Sequence, residues 1–137
     1  MVTQIIEGIS LAIYNAFGDE VEIYKDNVTQ GLQEPCFFIS ILKPDVTKMI
    51  GKRSIRNNPF DIHYFPKANE TLEVAEKLID ALEFIELLNG DILHATGVSY
   101  EVIDNVLHFF VSYNMPVVKI TDKTYMESLQ TDINRGD

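Results

Sequence analysis

Asp61, His63 and His108 are the side chains in this sequence best suited to chemistry. Two imidazoles and one carboxylate can hold a divalent metal ion, and an ion so held can activate a water for hydrolysis. In an extended chain Asp61 and His63, at i and i+2, share one face. His108 belongs to a separate apolar segment, so the cluster closes only if two strands pair in the right register. Most histidines in such segments are ordinary sheet residues. The sequence reading therefore assigns no metal ligand, no catalytic residue and no cofactor. A small metal-dependent hydrolase using Asp61, His63 and His108 stands as the rival reading. His94, beside a turn, receives no role. Gly90 and Gly97 fit neither a dinucleotide nor a P-loop spacing, and no Gly-x-Ser-x-Gly elbow occurs. The single cysteine, Cys36, lies in the apolar run Cys36-Phe37-Phe38-Ile39 and reads as a buried inert thiol.

The elements that must position these residues are legible around them. Phe60, Ile62 and Tyr64 alternate with Asp61, His63 and Phe65, which predicts a strand with an aromatic core face, stopped by Pro66. A helix-like run from Asn69 to Leu88 follows, with Asn69 or Thr71 as N-cap and Ala75, Leu78, Ile79, Leu82 and Ile85 as its apolar stripe. Residues 2–17 predict an N-terminal helix, with positions 5, 9, 12, 13 and 16 inward and Gly18 as its stop. Val21–Tyr24 reads as a short strand and Asp26–Pro35 as a polar turn or arm. Phe37–Leu42 reads as a strand buried on both faces and ended by Pro44. Asp45–Asn58 is expected to be a long hairpin arm running into the Phe60 strand, with Pro59 at a bulge or edge. Beyond the Asn89-Gly90 turn, Asp91–His94 is a short strand or loop and Ser99–Ile103 a strand. Asp104-Asn105 is a two-residue hairpin turn, and Val106–Tyr113 returns past Asn114, with Pro116 at an edge or bulge. The order α-β-β-β-α-β-β places the chain in the α+β class, a mostly antiparallel sheet with two helices. Residues 1–118 read as one domain and 119–137 as a polar extension, loose or laid on a neighbour.

At 137 residues, 46% apolar and 23% charged, the chain can bury a single core. A net charge of −10 argues against general affinity for nucleic acid or anionic membranes. No apolar run approaches the roughly 18 residues of a membrane span, and no secretory signal is seen, which predicts a cytosolic site of synthesis.

Charge is also segregated. Five of the eleven basic residues fall between Lys43 and Arg56, namely Lys43, Lys48, Lys52, Arg53 and Arg56. Glu73, Glu76, Asp80 and Glu83 form an acidic stripe assigned to the second helix. Solvated faces explain both. The sharper reading is a heterologous contact, in which the basic arm of one subunit meets an acidic face of the next and generates a ring. Lys48, Lys52, Arg53 and Arg56 would be the donors; Glu73, Glu76, Asp80 and Glu83 the acceptors, with Glu20 and Glu22 as the alternative.

Three segments together resemble a known family: Pro59–Pro66, Glu73–Leu78 with its Leu82–Ile85 continuation, and Val106–Asn114. The N-terminal helix and Gln30–Ile39 fit it too. The chain resembles, over about residues 1–118, the tail terminator (tail completion) proteins of long-tailed bacteriophages and Gram-positive prophages. That resemblance implies an α+β subunit forming a ring, usually a hexamer, on the head-proximal end of the tail tube. The ring stops tube polymerisation and offers a surface for head joining. Implied partners are other copies of the chain, the tail tube protein and a head completion or connector protein. DNA passes through the lumen without specific binding, and no membrane is involved. The implied location is the host cytoplasm during assembly and then the virion tail. A head–tail connector or tube ring component is the other structural alternative.

Overall fold

The helical stripe at the N-terminus folds as α1 (Val2–Phe17) in a computed structural model that describes residues 1–25 and 32–120. Ile5, Ile6, Ile9 and Ile13 are buried along one side, and Gly18, at φ 82°, closes the helix with its amide on Tyr14 O (2.8 Å). The remaining elements are β1 (Glu22–Tyr24), β2 (Cys36–Ile41), β3 (Asp45–Lys48), β4 (Arg53–Phe65), α2 (Thr71–Ala81), β5 (Phe84–Glu86), β6 (Ile92–Ile103) and β7 (Val106–Val118). The fold is α+β as expected, with strands β3 and β5 added to the expected order. The sheet runs β1-β2-β4-β7-β6-β5, and β3 pairs with β4 outside that path. β1 and β2 are parallel; β2–β4, β5–β6 and β6–β7 are antiparallel.

Chain contacts divide the protein into two units. The first comprises Met1–Asp45 and Arg56–Met115 and holds the core. Phe60, Ile62 and Tyr64 of β4 and Leu107, Phe109 and Val111 of β7 are buried, as are Val74, Ala75 and Leu78 of α2 and then Leu82. The expected core face of Phe60, Ile62 and Tyr64 is thus buried, as are Leu78 and Leu82 of the expected helical stripe. Two buried polar bonds reinforce this packing: Tyr113 Oη donates to Leu82 O at the end of α2 (2.6 Å), and Asn58 Nδ2 donates from β4 to Tyr113 O on neighbouring β7 (3.1 Å). Asp104 and Asn105 take φ of 51° and 62°, the left-handed pair that a two-residue hairpin turn requires. Gly97, at φ 59°, absorbs a register shift between Thr96 and Ser99, so the two segments expected at 91–94 and 99–103 fuse into β6.

The second unit comprises Val46–Ile55 and Pro116–Asp137. Gly51 (φ 75°) turns the β3–β4 hairpin, Met49 N donates to Arg53 O, and Lys119 N donates to Lys52 O (2.9 Å each). The expected hairpin arm is therefore present. Its apolar side chains Val46, Met49 and Ile50 are exposed, Ile50 at 94%.

Several expectations need correction. The second helix ends at Ala81 rather than Leu88, because Phe84–Glu86 pairs with Ile92–His94 of β6. Its N-cap is Glu70, not Asn69 or Thr71. Ile79 is exposed rather than inward, and Glu83 lies beyond the helix. β2 is not buried on both faces: Phe38 and Ser40 are only half-buried. Pro59 does not mark an edge; it sits within β4, just past the Ile41–Phe60 pair, and its carbonyl accepts from Leu42 N (2.9 Å). The expected Asp26–Pro35 arm falls partly, and the extension 119–137 mostly, outside the described residues.

Candidate functional site

β4 places Asp61 and His63 on the face opposite Phe60, Ile62 and Tyr64, and neighbouring β7 places His108 beside them. The register that the sequence left open brings the three together. His63 Nε2 lies 2.8 Å and His108 Nδ1 3.2 Å from the same Asp61 oxygen, Oδ2. One donor atom from each residue lies within 4.8 Å of the other two. The Asp61 side chain is 11% exposed, whereas the histidine side chains are 24% and 23% exposed. Burial raises the Asp61 carboxyl, but hydrogen bonds and charge from His63 and His108 outweigh it and hold the group below the usual carboxylate range. The other carboxylate oxygen, Oδ1, is buried with no hydrogen-bond partner among the described residues.

Aromatic rings fix the imidazoles. His63 meets Phe38 (5.9 Å), Phe65 (6.2 Å, edge-on) and His108 (4.5 Å, edge-on), and His108 stacks on Phe110 at 6.4 Å. A groove of about 360 Å³, lined by Gly8, Leu11, Ala12, Asn15, Ala81 and Phe84 among others, contains none of the three residues. Cys36 is fully buried, and burial, followed by the charges of Glu34 and Glu22, pushes its thiol up.

The charged residues singled out from sequence are exposed. Lys48, Lys52 and Arg53 lie on or beside the β3–β4 hairpin, with Arg56 further along β4. Glu73, Glu76 and Asp80 lie on α2, and Glu83 between α2 and β5. The apolar residues Val46, Met49 and Ile50 on the same hairpin were missed as surface features, since the segment had read as hydrophilic. Their signal was the pair Met49-Ile50 set directly before a turn glycine, where no core can cover it.

A second polar arrangement was missed entirely. Glu70 accepts from Lys67 N (2.9 Å), Ala68 N (2.9 Å) and Tyr64 Oη (2.8 Å), which secures the loop between β4 and α2. Burial raises the Glu70 carboxyl, but these donors prevail and hold it below the usual range. A depressed folded-state value stabilises the fold above the unfolded carboxylate value, about 4.3, and that stability is lost as pH falls through the folded value. Glu70→Gln should accordingly lower stability by about 1 kcal/mol near pH 6, with the difference from the parent shrinking below about pH 4. Urea titrations from pH 3 to 6 check this, and a difference independent of pH would refute it.

Fold and site together define the class: a two-helix α+β sheet protein with an exposed basic hairpin. A family model described as phage tail terminator protein matches residues 4–125, and the chain belongs to that family. It is a structural component of a phage tail. No curated protein matches the chain. No helix among the described residues is long and apolar enough to cross a membrane.

Proposed function

We propose that this chain closes into a ring, six copies being the arrangement expected, on the head-proximal end of the tail tube. There it stops tube polymerisation and presents the surface to which the head joins. The observation that carries this reading is the extent of the tail terminator match, which runs from within α1 to beyond β7 and so takes in the hairpin arm as well as the core. Residues 1–118 act as the ring-forming domain and 119–137 as an extension of it.

Closure of a ring needs two different surfaces on each subunit. The hairpin arm supplies one: it is basic at Lys48, Lys52 and Arg53, followed by Arg56, and apolar at Val46, Met49 and Ile50. Glu73, Glu76 and Asp80, with Glu83, supply the other; Glu20 and Glu22 are the alternative acceptor. The net charge of −10 suits a lumen through which DNA passes without being held. The partners are other copies of the chain, the tube protein and a head completion or connector protein. The site of action is the host cytoplasm during assembly and then the virion tail.

Electron microscopy of tube protein polymerised with and without this chain tests the reading. Added chain should yield tubes of bounded length carrying a ring at one end. Tubes that grow equally long and uncapped in its presence would reject it.

A further inference from the structure

We propose that Asp61, His63 and His108 bind a divalent transition-metal ion; their two-nitrogen, one-oxygen donor set suits Zn²⁺ and Fe²⁺, and Zn²⁺ is the redox-inert probe of the site. This goes beyond assembly on the tail tube and does not depend on it. Four observations support the site independently of any titration. The three donors come from two adjacent strands and lie within 4.8 Å of one another. Asp61 Oδ2 is shared by both rings, at 2.8 and 3.2 Å. A tetrahedral ion with ligand bonds of about 2.1 Å holds its donors about 3.4 Å apart, and the two Asp61–histidine separations, 2.8 and 3.2 Å, are close to that spacing. Asp61 as a whole residue is 8% exposed, and its Oδ1 has no hydrogen-bond partner among the described residues, so the carboxylate keeps a buried acceptor that a second bond to an ion can satisfy. Finally, the rings are oriented by Phe38, Phe65 and Phe110 while remaining about a quarter exposed, so an ion can reach them.

In the metal-free arrangement both rings donate to Oδ2, through His63 Nε2 and His108 Nδ1. Those same nitrogens become ligands when each neutral ring carries its proton on the other nitrogen, a change of tautomer that leaves the lone pair for the ion. The ion would staple β4 to β7. Its fourth position stays open to water or to a donor from outside the chain. The proposal is confined to binding and to the tie between β4 and β7; three protein ligands with an open position are not by themselves a hydrolase.

The test uses the full chain after chelator treatment. Calorimetric titration with ZnCl₂ should give one site per chain. Excess Zn²⁺ should raise the melting temperature, and raise it further with concentration, because only the native state assembles the donors. Co²⁺ should give the intense visible bands of a four- or five-coordinate site. His63→Gln, His108→Gln and Asp61→Asn should each weaken Zn²⁺ binding at least about 10-fold. His94→Gln, which leaves the triad intact, should not. Should a triad variant fail to fold, the Co²⁺ spectrum and stoichiometry of the parent protein decide. An absence of binding, octahedral Co²⁺ bands, or binding lost with His94 rather than the triad would overturn the site and leave a hydrogen-bonded triad.

Discussion

Leu82→Ala should destabilise the protein by about 2–5 kcal/mol, and by the upper part of that range. Leu82 is 1% exposed and sits where α2 ends and the chain turns toward β5. The cost of such a change has a transfer part and a cavity part, and the cavity part depends on whether the surroundings can collapse. Here they are held. The Leu82 carbonyl is fixed by Tyr113 Oη and its amide by Leu78 O (2.9 Å), so the backbone cannot move into the space. Ile79→Ala provides the contrast, because Ile79 is 40% exposed and its loss should stay within about 0.5 kcal/mol. Denaturant midpoints of the two variants measure both effects. Equal losses would mean that the helix face is assigned wrongly.

The same pair of residues shows what the sequence could and could not reveal. Leu78, Leu82 and Ile85 recur at helical spacing and all three are buried, so the core was legible. The helix boundary was not, because three- and four-residue spacing also describes a helix turn followed by a strand residue. Phe84-Ile85-Glu86 alternates exposed, buried, exposed over only three residues, and its partner strand begins six residues on at Ile92. A tertiary pairing overrode a local pattern. Where the signal was long and locally closed, the reading largely held: α1 buries Ile5, Ile9 and Ile13 of its stripe, with Ala12 and Ala16 half-buried, and has its glycine stop, and the Asp104-Asn105 turn has the required left-handed backbone.

The polar cluster divides along the same line. That Asp61 and His63 share a face follows from the two-residue period of a strand alone. That His108 joins them depends on the order and register of β4 and β7, which a one-residue slip would have reversed. Sequence thus supplied the donors but not their meeting. Glu70 was invisible for a related reason. Its three donors come from two loop amides and a tyrosine on the preceding strand, and no residue pattern marks that convergence.

Replacing Lys52, Arg53 and Arg56 together with Glu should leave the monomer folded yet abolish ring closure and give overlong, uncapped tails. Folding should survive because all three side chains are exposed, where substitutions typically change stability by about 0.5 kcal/mol or less. The effect on assembly needs closer argument, since an exposed ion pair contributes only about 0–1 kcal/mol. Charge alone does not hold a ring. In the proposed contact the exposed apolar residues of the hairpin would supply what it lacks, as full burial of a side chain such as Ile50 or Met49 is favourable by about 1.5–3 kcal/mol. The arm's cations would then set register and partner choice, and reversing three of them would juxtapose like charges with the proposed acidic face of the next subunit. Two consequences separate these roles. Ring closure by the parent protein should weaken with added salt at the charge-dependent step, because screening shortens to about 3 Å at 1 M. Ile50→Ser should weaken closure at every salt concentration, because apolar burial is not screened. Solution mass and tail length in the presence of tube protein report both. Normal-length, head-competent tails from the triple variant would sink the arm as the subunit contact, and the family membership, which rests on the match over residues 4–125, would stand.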